Sequence, residues 1–384
     1  MQPFQVPNET LANNPACNPV CRACHYKSLT YLLQVERKQA WVSAQLQRWQ
    51  SVLSPLIPAS HSEQTGYRSK SWMRTEFKDG QVSFGMIRSV RNQSKWEKEF
   101  ISWDSCPLHH LSIQKIIKNL KQALSPDQIQ TLQASWVGVW FGRPHVVIIS
   151  KQAEIGVFQT LKWDQILAPP YENIWFHFNP QVGKKIFGHH EIQRIAGCPT
   201  ESIHPIRAFR QVAQGLLIQA RQLALKHLLL NEPEFILDLY CGTGDLALML
   251  PQNVGWLGLE ISPEAVEYAN TLRNSDSVFH LAFTGAIEDR LKDPRVLSKI
   301  SGNYSIFINP PRSGMSHLGQ DRLIQLMRSH APSTLVYLSC SASSLARDLV
   351  TFENEGYSVE LLQPYDFFPQ TEHFEILAVL KKRD

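Results

Sequence analysis

Two rhythms of apolar and polar positions divide the chain. Up to about residue 204, short β-like runs such as "QVSFGMI", "ASWVGVWF" and "HVVIIS" alternate with polar segments, and one clear helical pattern falls near 111–124. Residues 27–53 space Leu32, Leu33, Trp41, Val42, Leu46, Trp49 and Val52 at helical intervals, which predicts an amphipathic helix. Beyond 205 the rhythm changes. The helical "VAQGLLIQARQLALKHLLL" precedes "FILDLY", "VGWLGLEI", "SVFHLAF", "YSIFIN", "TLVYLS", "YSVELLQ" and "FEILAVLKK", with helical or turn-rich segments between most of them. Strands alternating with helices predict a doubly wound, Rossmann-like α/β sheet. Only "PYDFFPQTEH" separates the last two runs, so they are expected to close the sheet as an antiparallel hairpin. "CPTESIHPIRAFRQ" reads as a connector, dividing the chain into an N-terminal α+β region over 1–204 and an α/β domain over 205–384.

Composition changes this picture little. Over 384 residues, 43% hydrophobic and 19% charged describe an ordinary globular protein. No apolar stretch approaches the roughly 20 residues of a membrane helix, and "MQPFQVPNETLANNPAC" has no basic start or apolar core of a secretory signal. A cytoplasmic chain with reduced thiols, and nothing that demands more than a monomer, is expected. The net charge of +4 says less than its distribution. Residues 67–96 carry Arg68, Lys70, Arg74, Lys78, Arg88, Arg91 and Lys95, interleaved with Trp72, Phe77, Phe84 and Trp96. That mixture suits phosphate contact and base stacking on RNA, and equally the exposed face of a small sheet.

"ILDLYCGTGDLALML" places Asp238 in a strand, with Gly242 and Gly244 in the turn expected to open a helix, where the backbone can approach a ligand closely. About 20 residues on, "GLEIS" ends a strand with Glu260, an acceptor suited to ribose hydroxyls. The third position of a dinucleotide fingerprint is Ala247. The strand count matches the seven-strand methyltransferase version of the fold, which favours S-adenosylmethionine over NAD.

Asn309 closes the fourth strand at the ligand-binding edge, and two prolines stiffen the turn that follows. Amino-group methyltransferases follow a similar Asn-Pro-Pro with an aromatic residue. Here Arg312 follows, a cation better suited to a carbonyl oxygen or a phosphate. The next strand ends on Cys340. Methylation of a pyrimidine at C5 needs a thiolate that adds at C6, because C5 is otherwise a poor nucleophile. It also needs a base for the C5 proton, for which "FFPQTEHFEILAVL" offers Glu372, His373 and Glu375. Cys241, by contrast, reads as a buried structural thiol.

Near the N-terminus, Cys17-x3-Cys21-x2-Cys24 is followed by His25. Zinc held with His25, Cys106 or Cys198, a [4Fe–4S] cluster with Cys106 as fourth ligand, and a radical S-adenosylmethionine centre share this kind of spacing. The last belongs just after the first strand of a β/α barrel, and no strand precedes Cys17.

Taken together, "DLYCGTGD", "GLEIS", "INPPRSG", "YLSCSA" and "FPQTEHFE" occur in the order and spacing of the RNA uracil-5 methyltransferases that use S-adenosylmethionine. The chain resembles that family over nearly its whole length, most closely its short bacterial 23S ribosomal RNA branch. The resemblance implies that Cys340 is the nucleophile and Glu375 the base, and that Gln211, Tyr240, Asp245, Glu260 and Asn309 contact the cofactor. It supports a [4Fe–4S] cluster on Cys17, Cys21, Cys24 and Cys106 over zinc, although the family usually spaces the first two cysteines more widely. The implied product is 5-methyluridine in 23S ribosomal RNA. Transfer RNA as substrate, or a non-catalytic RNA-binding protein, are the alternatives; a cytosine-5 enzyme would carry a second cysteine in the Pro-rich turn. Three departures stand out. Ala213 replaces the Asn that usually follows Phe209 and Gln211, Thr284 stands where an acidic residue or amide commonly contacts adenine, and Asn309 replaces the Asp of some branches.

Overall fold

The computed structural model describes residues 10–92, 95–140, 143–153, 155–163, 173–182, 187, 190–197, 214–272 and 279–383. The chain forms two compact units. One comprises residues 1–30 and 60–202, the other 31–59 and 203–384. This differs from the expected break at 204, because residues 31–59 pack with the C-terminal half.

Among the described residues each unit is built on a seven-stranded sheet. The first unit has β1 (Lys70–Lys78), β2 (Gln81–Asn92), β3 (Lys95–Ser102), β4 (Leu132–Trp140), β5 (Arg143–Ser150), β6 (Ile174–Phe178) and β7 (Ile192–Ala196), in the order β3-β2-β1-β4-β5-β6-β7. All neighbours pair antiparallel except β5 and β6. The helix Leu111–Ala123 packs there through Ile113, Ile116, Ile117 and Leu120, the i, i+3, i+4, i+7 stripe that its sequence predicts.

The second unit has β8 (Phe235–Leu239), β9 (Gly255–Glu260), β10 (His280–Thr284), β11 (Tyr304–Ile308), β12 (Thr334–Ser339), β13 (Tyr357–Tyr365) and β14 (Glu375–Lys382). Their order is β10-β9-β8-β11-β12-β14-β13. The five strands β8 to β12 run parallel and β14 antiparallel, so the expected terminal hairpin is present. Progression across the sheet reverses between β8 and β11. Doubly wound sheets bind ligands at the carboxyl edge of such a switch point. One expectation fails locally: after Gly244 the chain makes only a 3-10 turn, Ala247–Met249, instead of an α-helix. Pro251, two residues on, cannot continue a helix and disfavours helical geometry in the residue before it.

The transferred segment starts with the helix Tyr31–Gln45, which buries a different face from the one its apolar residues suggest. Leu32 and Trp41 are each 57% exposed, whereas Tyr31, Gln34, Lys38 and Val42 are buried. Beyond it, Leu46 and Trp49 join the core of the second unit, and the Trp49 indole N–H donates to Glu353 Oε1 at 2.8 Å. Residues 53–57 then run parallel to β13, with Ser54 N–H donating to Leu362 O and Ile57 N–H to Pro364 O. They cover an edge that would otherwise offer unpaired backbone groups. Among the described residues no helix is long and apolar enough to cross a membrane.

Trp49→Ala should therefore lower the stability of the second unit by about 3–5 kcal/mol, the cost of emptying a buried indole site. Hydrogen exchange in urea checks this, with reduced protection expected in β12 and β14.

Candidate active site

The carboxyl edge of β8, β9, β11 and β12 borders a cavity of about 1030 Å³. On one side lies the glycine turn. Tyr240 adopts a left-handed backbone conformation with φ of 62°, unusual for a residue with a Cβ. At Gly242, with φ of 56°, a Cβ would meet nothing within 4 Å, so the peptide is open to close approach by a ligand. The Glu260 carboxylate accepts from Gly242 N–H at 3.1 Å and from Ser262 N–H at 2.9 Å, fixing the turn to the end of β9. Asp245 accepts from the Thr243 hydroxyl at 2.9 Å and pairs with Arg221 at 3.1 Å. Behind the turn, burial pushes the Asp238 carboxyl up to about 7, against the lowering effect of the Trp256 indole, which donates to its Oδ2 at 3.1 Å. Its Oδ1 has no partner and the residue lines the cavity. An open glycine turn beside an orphaned buried oxygen fits a polar ligand with hydrogen-bond donors.

The other side carries the predicted chemistry. β12 and β14 pair antiparallel with Ser339 opposite Ile376. Continuing that register by one residue sets Cys340 beside Glu375, and both line the cavity. Glu375 is buried, whereas Glu372 is exposed and outside the lining. Burial raises the Cys340 thiol pKa, the Glu375 charge raises it further, and the nearby Arg312 guanidinium opposes both. Arg312 also lies 3.4 Å from His373 Nδ1. The helix Ala342–Asn354 begins two residues after Cys340, and its N-terminal end favours negative charge.

The loop that carries Arg312 is held by two residues that sequence inspection did not single out, Asp348 and Arg347. Asp348, with no exposure, accepts from Met315 N–H, Gln320 Nε2, Tyr337 Oη and Arg347 Nε. Arg347 in turn donates to Ser313 O and Met315 O. Gly314 has φ of 76°, and a Cβ there would lie 2.5 Å from Arg347 and 2.7 Å from Asp348.

The cavity thus brings together Tyr240, Asp245, Glu260, Asn309, Cys340 and Glu375. Gln211, with the neighbouring Phe209 and Ala213, lies outside the described residues. Thr284 is exposed and not part of the lining, but Glu288 four residues on is, a position no motif marked. Arg221 and Phe368 were missed for the same reason: neither has a local signature, and only the fold brings them to the cavity.

In the first unit, Cys17, Cys21, Cys24 and Cys106 line one small pocket with Trp103 and Leu108. The six described cysteines are all free thiols. Burial pushes Cys24 up to about 12; Arg68 opposes this, and the neighbouring Cys106, Cys21 and Cys17 add to it. Burial likewise raises Cys17 and Cys106. Four soft ligands whose thiolates disfavour one another fit a centre that supplies positive charge. Cys198 lies outside the described residues. Of the basic and aromatic stretch, Phe84 proves to be core, with no exposure, and Arg88 is paired with Glu99 at 2.6 Å. Phe77 and Trp96 are exposed, at 41% and 71%.

Residues 207–383 match the family model described as tRNA (Uracil-5-)-methyltransferase. An uncharacterized RNA methyltransferase of Nostoc sp. is 26% identical, over 94% of this chain and 80% of its own length. One of Clostridium acetobutylicum is 34% identical over 163 residues, covering 42% of this chain and 34% of that protein. Among solved structures, the Pyrococcus abyssi tRNA (uracil-54, C5)-methyltransferase in complex with S-adenosyl-L-homocysteine superposes with a TM-score of 0.69 at 19% identity. That match covers 94% of this chain and 84% of that one, and it shows a shared fold.

The charges around Cys340 make a prediction with a definite sign. Arg312→Gln removes the group that favours the thiolate and should move the inflection of iodoacetamide alkylation to higher pH. Glu375→Gln removes a group that disfavours it and should move the inflection lower. Each shift should change the alkylation rate near neutrality by about three- to tenfold in the corresponding direction.

Proposed function

We propose a reaction for this chain from one premise: it belongs to the RNA uracil-5 methyltransferase family, through residues 207–383. The reaction is methyl transfer from S-adenosylmethionine to C5 of a uridine in structured RNA. The observation that carries it is the register of β12 and β14, which sets a cysteine and a buried carboxylate side by side at the cavity. S-adenosylmethionine, held by Tyr240, Asp245, Glu260, Asn309 and the Gly242 turn, supplies an electrophilic methyl group. The unplaced Gln211 is proposed as a further contact on the family resemblance alone.

Cys340 adds as a thiolate to C6 of the uracil, forming the S–C6 bond and moving the C5–C6 electron pair toward C5, which takes the methyl group as the sulfonium–methyl bond would break with its electron pair left on the cofactor's sulfur. Arg312 favours the thiolate that begins this. Glu375 then takes the C5 proton. The C–H electron pair restores the C5–C6 double bond, and the S–C6 pair departs with Cys340. The target base has to leave its stack to reach a sulfur set into the cavity. The cations and exposed aromatics of β1 to β3 suit the RNA backbone and unstacked bases.

The finer reading is 23S ribosomal RNA, supported by the resemblance to the short ribosomal branch, which this sequence resembles at Asn309. Transfer RNA is the second reading, favoured by the name of the matching family and by that of the Pyrococcus abyssi protein. Cys17, Cys21, Cys24 and Cys106 would hold a [4Fe–4S] cluster, with zinc as second reading. The cluster would be structural, since no step above moves an electron. Free thiols suit a reducing, cytoplasmic setting.

RNA containing 5-fluorouridine tests the chemistry, because fluorine at C5 cannot leave as a proton. With S-adenosylmethionine, the protein should form a covalent adduct on a denaturing gel, and Cys340→Ala should abolish it. An adduct with transfer RNA but none with ribosomal RNA would change the substrate and keep the reaction. No adduct with either would favour a binding protein. For the cysteine site, anaerobically purified protein should contain about four iron and four sulfide per chain, with visible absorption; zinc without iron would overturn the cluster.

A further inference from the structure

The helix Tyr31–Gln45 breaks the rule that an amphipathic helix buries its apolar stripe. It exposes Leu32 and Trp41 and buries Gln34 and Lys38, at 0% and 1% exposure. Lysine is almost never fully buried without a partner, and these two polar side chains meet one target. Lys38 Nζ lies 2.5 Å from Asp366 Oδ1 and donates to Phe368 O at 3.0 Å. Gln34 Nε2 donates to Gln370 Oε1 at 2.9 Å, and Gln34 Oε1 accepts from Gln370 N–H at 2.8 Å. Tyr31 Oη donates to Asp366 Oδ2 at 2.8 Å and accepts from Ala59 N–H. Every one of these bonds ends on the helix's own neighbouring segment or on residues 366–370, the loop between β13 and β14.

That loop delivers the reaction's base. It carries Phe368 and His373 into the cavity lining and ends at Glu375. Within it Gln370 holds a left-handed backbone, φ of 70°, a conformation that costs a non-glycine residue free energy unless its surroundings enforce it. The reciprocal amide pair with Gln34 is such an enforcement. A buried ion pair adds little to stability compared with an apolar pair of similar shape, so stability alone does not explain its presence. A fixed loop geometry does.

We propose that Lys38 and Gln34 are positioning residues for the base: they hold the loop 366–374 so that Glu375 meets the C5 proton. This rests on the reaction proposed above, and it assigns to a helix more than 300 residues away in sequence a role in the last chemical step only. Attack by Cys340 and methyl transfer do not use Glu375. Removal of the C5 proton and departure of the thiolate do.

The two halves of the reaction can be timed separately. With 5-fluorouridine RNA, stalled adduct forms without proton removal. In Gln34→Ala it should therefore form within about twofold of the wild-type rate, while kcat on ordinary RNA falls about ten- to a hundredfold at an unchanged KM, the scale of a misplaced catalytic group. A covalent protein–RNA species should also accumulate on ordinary RNA, where the wild type shows none at steady state. Lys38→Met should show the same split more strongly. If it fails to fold, the double variant Lys38→Met/Asp366→Leu removes both charges and reads the same two rates. Parallel loss of adduct formation and turnover, or no change in either, would overturn the assignment. Absence of adduct in the wild type would instead overturn the reaction itself.

Discussion

A carboxylate shut away from water must be given donors by the protein, and Asp348 shapes the reactive side of the cavity through that requirement. Its four donors come from the loop after Asn309, from the helix His317–Ser329, from β12 and from its own neighbour Arg347. Losing any one leaves a buried negative charge less compensated, so the elements are locked into one arrangement. Tyr337 lies three residues before Cys340 on the same chain segment, and Met315 three residues after Arg312. The hub therefore sets Cys340 and the Arg312 guanidinium to a common frame. Gly314 follows from the same packing, since a side chain there would occupy the space of the donors themselves.

Asp366 does for the proposed base, Glu375, what Asp348 does for the proposed nucleophile, Cys340. Both carboxylates are fully buried, Asp348 collecting four donors and Asp366 two, Tyr31 and Lys38, and each fixes one of two loops that line the cavity with Cys340. The glycine turn is built otherwise. Its acidic residues, Glu260 and Asp245, are only partly buried and bind neighbouring N–H, hydroxyl and guanidinium groups. Stiffness is concentrated where atoms must be aligned to form and break bonds, and openness where a ligand must enter.

Most of the second sheet could be read from the chain, because buried parallel strands are continuous apolar runs bounded by turn residues. "TLVYLS" coincides with β12, and "YSIFIN" overruns β11 by only its closing Asn309. The cysteine and the carboxylate could be named from motifs, but their adjacency depends on an antiparallel pairing that no local pattern specifies. The helix at 31–45 shows where pattern reading stops. Its apolar residues pointed to one face, and the buried polar stripe prevailed because its partners, Asp366 and Gln370, lie at the far end of the chain. For the same reason the boundary at 204 misplaced residues 31–59: an amphipathic segment declares that it has a partner, but not which one. Phe84 reads as part of an aromatic, basic face until β2 is seen to carry it into the core with Val82, whereas Arg88, four residues on and on the same face, pairs with Glu99 of β3.

The electrostatics around Cys340 also fit the proposed order of events. A thiolate beside the Glu375 carboxylate, both partly withdrawn from water, is a costly pair of like charges, and this is part of why the thiol pKa is raised. A thiolate from a higher-pKa thiol is also the stronger nucleophile. Once sulfur has bonded to C6 it is a neutral thioether, and the repulsion is gone. In the proposed reaction the thiolate's charge passes to the uracil ring until methyl transfer from the sulfonium neutralises it, and Glu375 is then the single anion until it takes the C5 proton. Its proton transfer and the return of charge to sulfur coincide, so negative charge moves between the two groups instead of residing on both. Arg312 favours the thiolate form of that sulfur. In the proposed reaction the two like charges meet only until the attack, where Arg312 offsets them, which is how the proposed nucleophile and base can be neighbours.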